Sequence, residues 1–313
     1  MVVTAVKTRI QPLKKPFSNA KKLPVKVLAK ANGSVLKRIA LSQAFVLLVV
    51  VFCVSTSILS SYICQRMIQR YFIQLSYDGT PFHGWQIQPN AKSIQETLNF
   101  ALSTITRQKI YVVGCGRTDT GVHATKFFAH FESEEIEIEP VCFRVNRMLP
   151  KSIAVKRIFK VAEDTHARFS AISRTYEYKI SREKNPFLVE RAYELREDLN
   201  VDLMNEAGAM LPNFKDFSSF AKASDTKTNL CDLFYARWET NGELLRFEVK
   251  ANRFLRNMVR AMVGTFVEIG RERISLSQFE EIIEAKDRSS AGYSAPAHGL
   301  YLIDIGYPDG LLE

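Results

Sequence analysis

The sequence predicts an α+β fold: two ferredoxin-like units share a mixed, mainly antiparallel sheet, with helices packed on one side and a central active-site cleft. Three observations carry this expectation. From Tyr71 onward, short stretches of period-two alternation are separated by stretches with apolar residues at helical spacing. Each half runs strand, helix and paired strands in similar order, although the halves show no close sequence repeat. Asn241-Gly242 separates two strand-like runs, and that dipeptide favours the tight turn of an antiparallel hairpin.

The elements follow in order. Tyr71 to Tyr77 alternates as a strand and stops at the turn signal Asp78-Gly79. Ser93 is placed to cap a helix, with Glu96 completing a capping box and Ile94, Leu98 and Leu102 on the inner face. Strands are expected over Ile110 to Val113 and Lys126 to Phe131. Pro140 opens a short helix with Val141, Val145 and Met148 inward, and a strand follows over Ile153 to Val161. The second unit begins near Arg174. It has a strand over Thr175 to Ile180, a helix over Val201 to Met210, and the hairpin of Leu233 to Glu239 and Leu245 to Ala251. A long apolar helix over Phe254 to Ile269, a helix over Leu276 to Ala285 and a closing strand over Leu300 to Ile305 complete it. The expected boundaries are an extension over residues 1–66, a first α+β unit over 67–172 and a second over 173–313.

Composition bounds the function. A hydrophobic fraction of 46% and a charged fraction of 24% fit a globular body. The net charge of +10 suggests nucleic acid, but its distribution corrects that. Residues 1–66 hold 11 Lys or Arg and no Asp or Glu, so the remaining 32 basic side chains face 33 acidic ones. An RNA surface on the body must therefore be local. The five cysteines are scattered without a CxxC pair, and the histidines lack ligand spacing, so no metal site or disulfide framework is indicated.

The chemistry concentrates at Gly114-Cys-Gly-Arg-Thr-Asp-Thr-Gly-Val-His-Ala124. Asp119 stands after an apolar strand, flanked by Arg117 and Thr118, and the glycines allow close backbone approach. A turn carboxylate paired with a nearby arginine is the plain alternative. Tyr176 and Tyr178 alternate on one strand face. Arg253, Arg256 and Arg260 recur at three and four residues, which places them on one face of the predicted helix. Alternation puts Lys156 and Lys160 on one face of their strand, with Arg157 on the other. The acidic run Glu132 to Glu139 is unsuited to RNA. His123 is expected to be a satisfied turn histidine, and Trp85 a core residue.

Several separated segments closely resemble the TruA family of tRNA pseudouridine synthases: Tyr77 to Gln86, Gly114 to Ala124, His166 to Ala171 with Arg174 to Tyr178, Asn252 to Gly264, and Ala295 to Leu300. The resemblance covers about residues 68–308. It implies isomerisation of uridine to pseudouridine in the anticodon stem-loop of tRNA. The uracil is detached from its ribose, turned and rejoined through carbon, so no cofactor or metal is required. It implies further that Asp119 is the nucleophile, attacking the sugar or the base. Tyr176 packs on the target uracil, Arg260 pairs with Asp119, and Arg117, Arg168 and Leu300 also bind substrate. Arg253, Arg256, Lys156 and Lys160 are candidate RNA contacts. The family's homodimers supply a groove that a body of net charge −1 lacks. A non-catalytic RNA-binding module on the same fold is the alternative.

The extension points elsewhere. Residues 1–38 are basic and punctuated by prolines, and residues 39–65 carry no charge and are long enough to span a bilayer. A mitochondrial leader, a membrane anchor or an upstream start would each account for it. The expectation adopted is a working protein that starts at Met67, in the cytoplasm, with a membrane partner only if residues 39–65 are a genuine anchor.

Overall fold

The computed structural model describes residues 67–223 and 228–312, and the extension with its leader, anchor and start alternatives lies outside them. Residues Met67–Glu313 form one compact unit. The strands are β1 (Gln69–Tyr77), β2 (Val113–Gly114), β3 (His123–Ser133), β4 (Ile153–Val161), β5 (Ser173–Ser181), β6 (Tyr193–Glu194), β7 (Leu233–Asn241), β8 (Leu244–Ala251) and β9 (Leu300–Gly306). The helices are α1 (Ile94–Thr106), α2 (Ile138–Met148), α3 (Val201–Met210), α4 (Met258–Gly270) and α5 (Leu276–Glu284).

One sheet runs in the order β4-β1-β3-β9-β5-β8-β7, with β2 added to β3 and β6 to β5. Its pairs are antiparallel except β3–β9 and β5–β6. The parallel β3–β9 join is short, matching His123 with Tyr301 and Ala124 with Leu302. It connects two cores. One holds Phe72, Trp85, Phe127 and Phe131 with α1 and α2, and the other holds Tyr178, Trp238, Phe247 and Phe266 with α3 to α5. The cores interlock at the join. Val122 belongs to the second core, while Leu302, Ile305 and Tyr307 belong to the first.

Helices cover one face of the sheet. Phe266 of α4 lies 5.1 Å from Phe247 and 5.8 Å from Trp238. A Cβ on Gly208 of α3 would meet the Ala236 carbonyl oxygen at 2.7 Å, so this helix approaches β7 at backbone distance. Register places Tyr176, Tyr178, Leu300 and Leu302 on that face and leaves Thr175, Glu177, Glu248 and Arg237 on the other.

Local differences from the sequence expectations have physical causes. Only Val113–Gly114 pairs as a strand. Side chains of α1 replace the missing ladder, because Asn99 accepts from the Val112 N–H at 2.9 Å and Gln95 donates to the Val112 carbonyl at 2.7 Å. Met148 is 36% exposed instead of inward, at the last residue of α2. Helix α4 starts at Met258, because Asn257 takes a left-handed backbone (φ 66°) and donates from its amide to Ser294 Oγ at 2.7 Å. Arg253 and Arg256 therefore precede the helix and do not share a face with Arg260. A bulge in the β1–β4 ladder falls at Lys156, interrupting the alternation inferred for Lys156 and Lys160. Ser93 caps α1 through the Glu96 N–H, but Glu96 does not complete the expected capping box; a full box forms instead at Ser275 and Gln278 of α5.

Candidate active site

The Asp119 loop is held by contacts to its neighbours in the fold. Thr118 is buried, and its hydroxyl bonds Tyr77 OH at 2.9 Å while its carbonyl accepts from the Trp85 N–H at 3.1 Å. Gly84 has φ +81°, and a Cβ there would lie 2.4 Å from the Thr118 carbonyl oxygen. The segment around His83-Gly84-Trp85 thus serves as the seat of this loop, and any larger residue at 84 collides with it. Val122 closes the turn by donating to the Asp119 carbonyl at 3.2 Å.

Asp119 itself keeps 38% of its side chain exposed. Arg260, in the first turn of α4, brings Nη1 to 3.5 Å from its carboxylate. The guanidinium is aimed by the closing segment, donating from Nε to the Ala295 carbonyl at 2.7 Å, while Ala295 N donates back to the Arg260 carbonyl at 2.9 Å. Tyr176 on β5 packs against both hydrophobic cores and meets Phe254 edge-on at 5.1 Å. Burial, followed by the nearby Cys115 thiol and offset by Arg174, pushes its phenol well above the ordinary range, with Asp119 adding to the rise. The phenol therefore stays neutral, as an aromatic surface with a hydrogen-bonding edge. Cys115 is buried and its thiol is pushed up to about 12, chiefly by burial, so it is not a nucleophile at neutral pH.

The remaining expected residues divide. Arg117 and Arg168 are exposed beside this centre. Burial, then the fields of Arg117, Arg174 and Arg253, lower the Arg168 guanidinium, so four guanidinia share one neighbourhood. Leu300 is 6% exposed and pairs with Tyr178 at the start of β9. Arg256 is exposed on the loop before α4, and its carbonyl accepts from the Lys222 N–H at 3.0 Å. Lys156 and Lys160 are not gathered here. They sit on the edge strand β4, where Lys160 lies opposite Tyr71 and pairs with Glu135 at 2.8 Å. Tyr77 lies six positions along β1 from Tyr71, about 20 Å of strand.

Residues to which the sequence reading gave no role complete the centre. Arg174 donates to four carbonyls, those of Ala171 and Asn252 at 2.9 Å, Arg168 at 2.6 Å and Cys115 at 3.4 Å. One guanidinium thus ties together the segments that carry Asp119, Arg168 and Arg253. Its place at the head of Arg174-Thr-Tyr-Glu-Tyr178 was the available signal. Tyr77 and Phe254 gain their partners only in the fold, and the Thr118 hydroxyl, expected to help hold Asp119 ionised, bonds Tyr77 instead. His123 is a satisfied histidine as expected. It accepts at Nδ1 from the Gly79 N–H at 3.1 Å and bonds the His298 carbonyl through Nε2 at 3.0 Å. Burial lowers its pKa, which keeps the ring neutral.

A carboxylate oriented by a guanidinium, open to solvent and beside a neutral aromatic ring, is suited to covalent work on a planar base. A family model described as tRNA pseudouridine synthase matches residues 74–170 and 214–308. The tRNA pseudouridine synthase A of Bacteroides fragilis is 47% identical over 250 residues, covering 79% of this chain and 99% of that protein. That of Parabacteroides distasonis is 47% identical over 248 residues, covering 78% and 98%. That of Aliivibrio salmonicida is 39% identical over 243 residues, covering 76% and 93%. With more than half of its length matched by the family model and such relatives matched almost end to end, this chain belongs to the tRNA pseudouridine synthase family, a group of RNA-modifying isomerases.

Proposed function

We propose that this protein converts uridine to pseudouridine in the anticodon stem-loop of tRNA, with Asp119 as the nucleophile. The observation that carries the proposal is the convergence of the Asp119 carboxylate, the Arg260 guanidinium and the Tyr176 ring where the two cores meet. The uridine is swung out of its stack and its base lies on Tyr176, whose ring replaces the lost stacking. The Asp119 carboxylate forms a bond to the substrate nucleotide, at the sugar C1′ or at the base. The N1–C1′ bond breaks, the base turns and a C5–C1′ bond forms. The C5 proton leaves and N1 gains one, so no atom is gained or lost overall. Release of Asp119 regenerates the carboxylate, and Arg260 holds it in place throughout.

Arg117, Arg168, Arg253 and Arg256 bind the RNA backbone near this centre, and Leu300 supports the floor under the base. Lys156 and Lys160 contribute only if the RNA reaches the β4 edge. The body carries 32 basic and 33 acidic side chains beyond residue 66, so a second copy is expected to extend the basic surface across a homodimer. Light scattering on the purified protein tests that state, and a monomer at working concentration opposes it. The protein is expected to work in the cytoplasm from Met67, and mass measurement of the natural N-terminus tests this. An N-terminus upstream of Met67 refutes that start and reopens the leader and anchor alternatives. For the reaction, Asp119→Ala is expected to lower pseudouridine formation by roughly 10³-fold or more while tRNA affinity stays within a few-fold. Retained turnover overturns the role of Asp119. Mapping of tRNA with and without the gene tests the position, and an unchanged anticodon stem-loop refutes it.

A further inference from the structure

Phe169 is an apolar ring in the wrong company. Its side chain is 77% exposed, yet its surroundings are cationic. The Arg168 guanidinium lies 5.6 Å from its centroid, and Arg168 shares the neighbourhood of Arg117, Arg174 and Arg253. Among the described residues no carboxylate forms an ion pair with Arg117, Arg168 or Arg253. Such a ring gains nothing from water, and a desolvated apolar partner would have to bury the guanidinia around it at high cost. A planar ligand that brings its own negative charge meets both demands, because its π-face covers the ring and its phosphate pairs with the cations.

The turn that carries the ring is pinned through its own backbone. His166 Nδ1 accepts from the Arg168 N–H at 3.0 Å and the Phe169 N–H at 3.3 Å, and the imidazole lies 4.4 Å from the Phe169 ring. Ser170 N donates to the His166 carbonyl at 2.9 Å, and its hydroxyl accepts from the His166 N–H at 2.9 Å. Arg174 binds the Arg168 carbonyl with the same guanidinium that reaches Cys115 of the Asp119 loop. The turn over residues 166–170 is thus locked to the segment that carries the carboxylate, with an aromatic ring projecting from it.

We infer that Phe169 is a stacking platform for a second nucleobase of the bound RNA, separate from the base held at Tyr176. This inference rests on the functional reading above for the identity of the RNA.

The test uses the full chain and unmodified tRNA. The native tryptophans, Trp85 and Trp238, are 1% and 3% exposed, so a tryptophan placed at an open position reports separately. The Phe169→Trp variant is expected to lose emission on tRNA addition, with a midpoint equal to that of direct binding. Phe169→Ala is expected to weaken tRNA binding by roughly 5- to 150-fold, whereas Phe169→Tyr stays within a few-fold. Unchanged emission at saturating tRNA, or Phe169→Ala affinity within about twofold of the natural protein, overturns the platform. A natural protein that forms pseudouridine without these effects refutes the platform alone. Quenching by tRNA in a protein that forms no pseudouridine refutes the functional reading and leaves the platform standing.

Discussion

Arg260 shows how much a single side chain does through geometry. It holds the Asp119 carboxylate at 3.5 Å with Nη1 and the Ala295 carbonyl at 2.7 Å with Nε. Both side chains are partly exposed, so the ion pair adds little to stability, and its consequence is orientation. A planar fork makes both contacts together, and a lysine has one terminal nitrogen for both tasks. Arg260→Lys is therefore expected to lower kcat by about 10²-fold while KM changes only a few-fold, because a misplaced nucleophile costs rate more than binding. Steady-state kinetics on tRNA check this, and a kcat within about threefold of the natural protein contradicts the orienting role. Tyr176 belongs to the same scale. Its sequence pattern fits an ordinary half-buried strand tyrosine, and only its place against both cores beside Phe254 sets it apart.

At the scale of elements, the centre depends on close backbone approach. The Gly84 turn fits under Thr118 only without a Cβ, and its positive φ of +81° compounds the restriction. Gly264 of α4 is under similar constraint, since a Cβ there would lie 1.8 Å from the Tyr293 carbonyl oxygen. That contact seats α4 against the closing segment whose Ala295 aims Arg260. Gly84→Ala is expected to lower stability by about 1–3 kcal/mol, from the left-handed backbone and the displaced Thr118 carbonyl. It is also expected to reduce turnover in the surviving folded protein, because the loop that shifts carries Asp119. Thermal unfolding and kinetics measured together check this, and a variant with unchanged Tm and kcat removes the seat from the account.

Across the whole molecule, part of the acid response comes from histidines whose pKa is lowered in the fold. His130 is 5% exposed, and its Nδ1 accepts from the Ala167 N–H at 3.1 Å. Burial, followed by the fields of His166 and Arg70, lowers its pKa to about 4. The unfolded chain takes up this proton near an ordinary pKa of about 6.5, whereas the folded protein resists until about 4. Stability is thus fully present above the unfolded value and falls as pH drops from there towards 4. His166 and His123 are shifted in the same direction, largely by burial. The expected outcome is a Tm that declines on acidification through this window, and a shallower decline in His130→Gln, where an amide oxygen still accepts from Ala167. Equal slopes in the two proteins refute the assignment to His130.

The amino-acid sequence by itself determined most strands and helices, the hairpin at Asn241-Gly242, and the segments that carry Asp119, Tyr176 and Arg260, since periodicity, turn chemistry and residue type are local properties. The tertiary structure decided which of those residues meet. A hydrogen bond from Asn257 to Ser294, in a distant loop, accompanies the left-handed residue that delays α4 and moves Arg253 and Arg256 off its face. Four carbonyls from three separated segments give Arg174 a task that no spacing announces. The β4 edge carries Lys160 away from the carboxylate because strand register, which depends on partners remote in the chain, sets distance along a sheet.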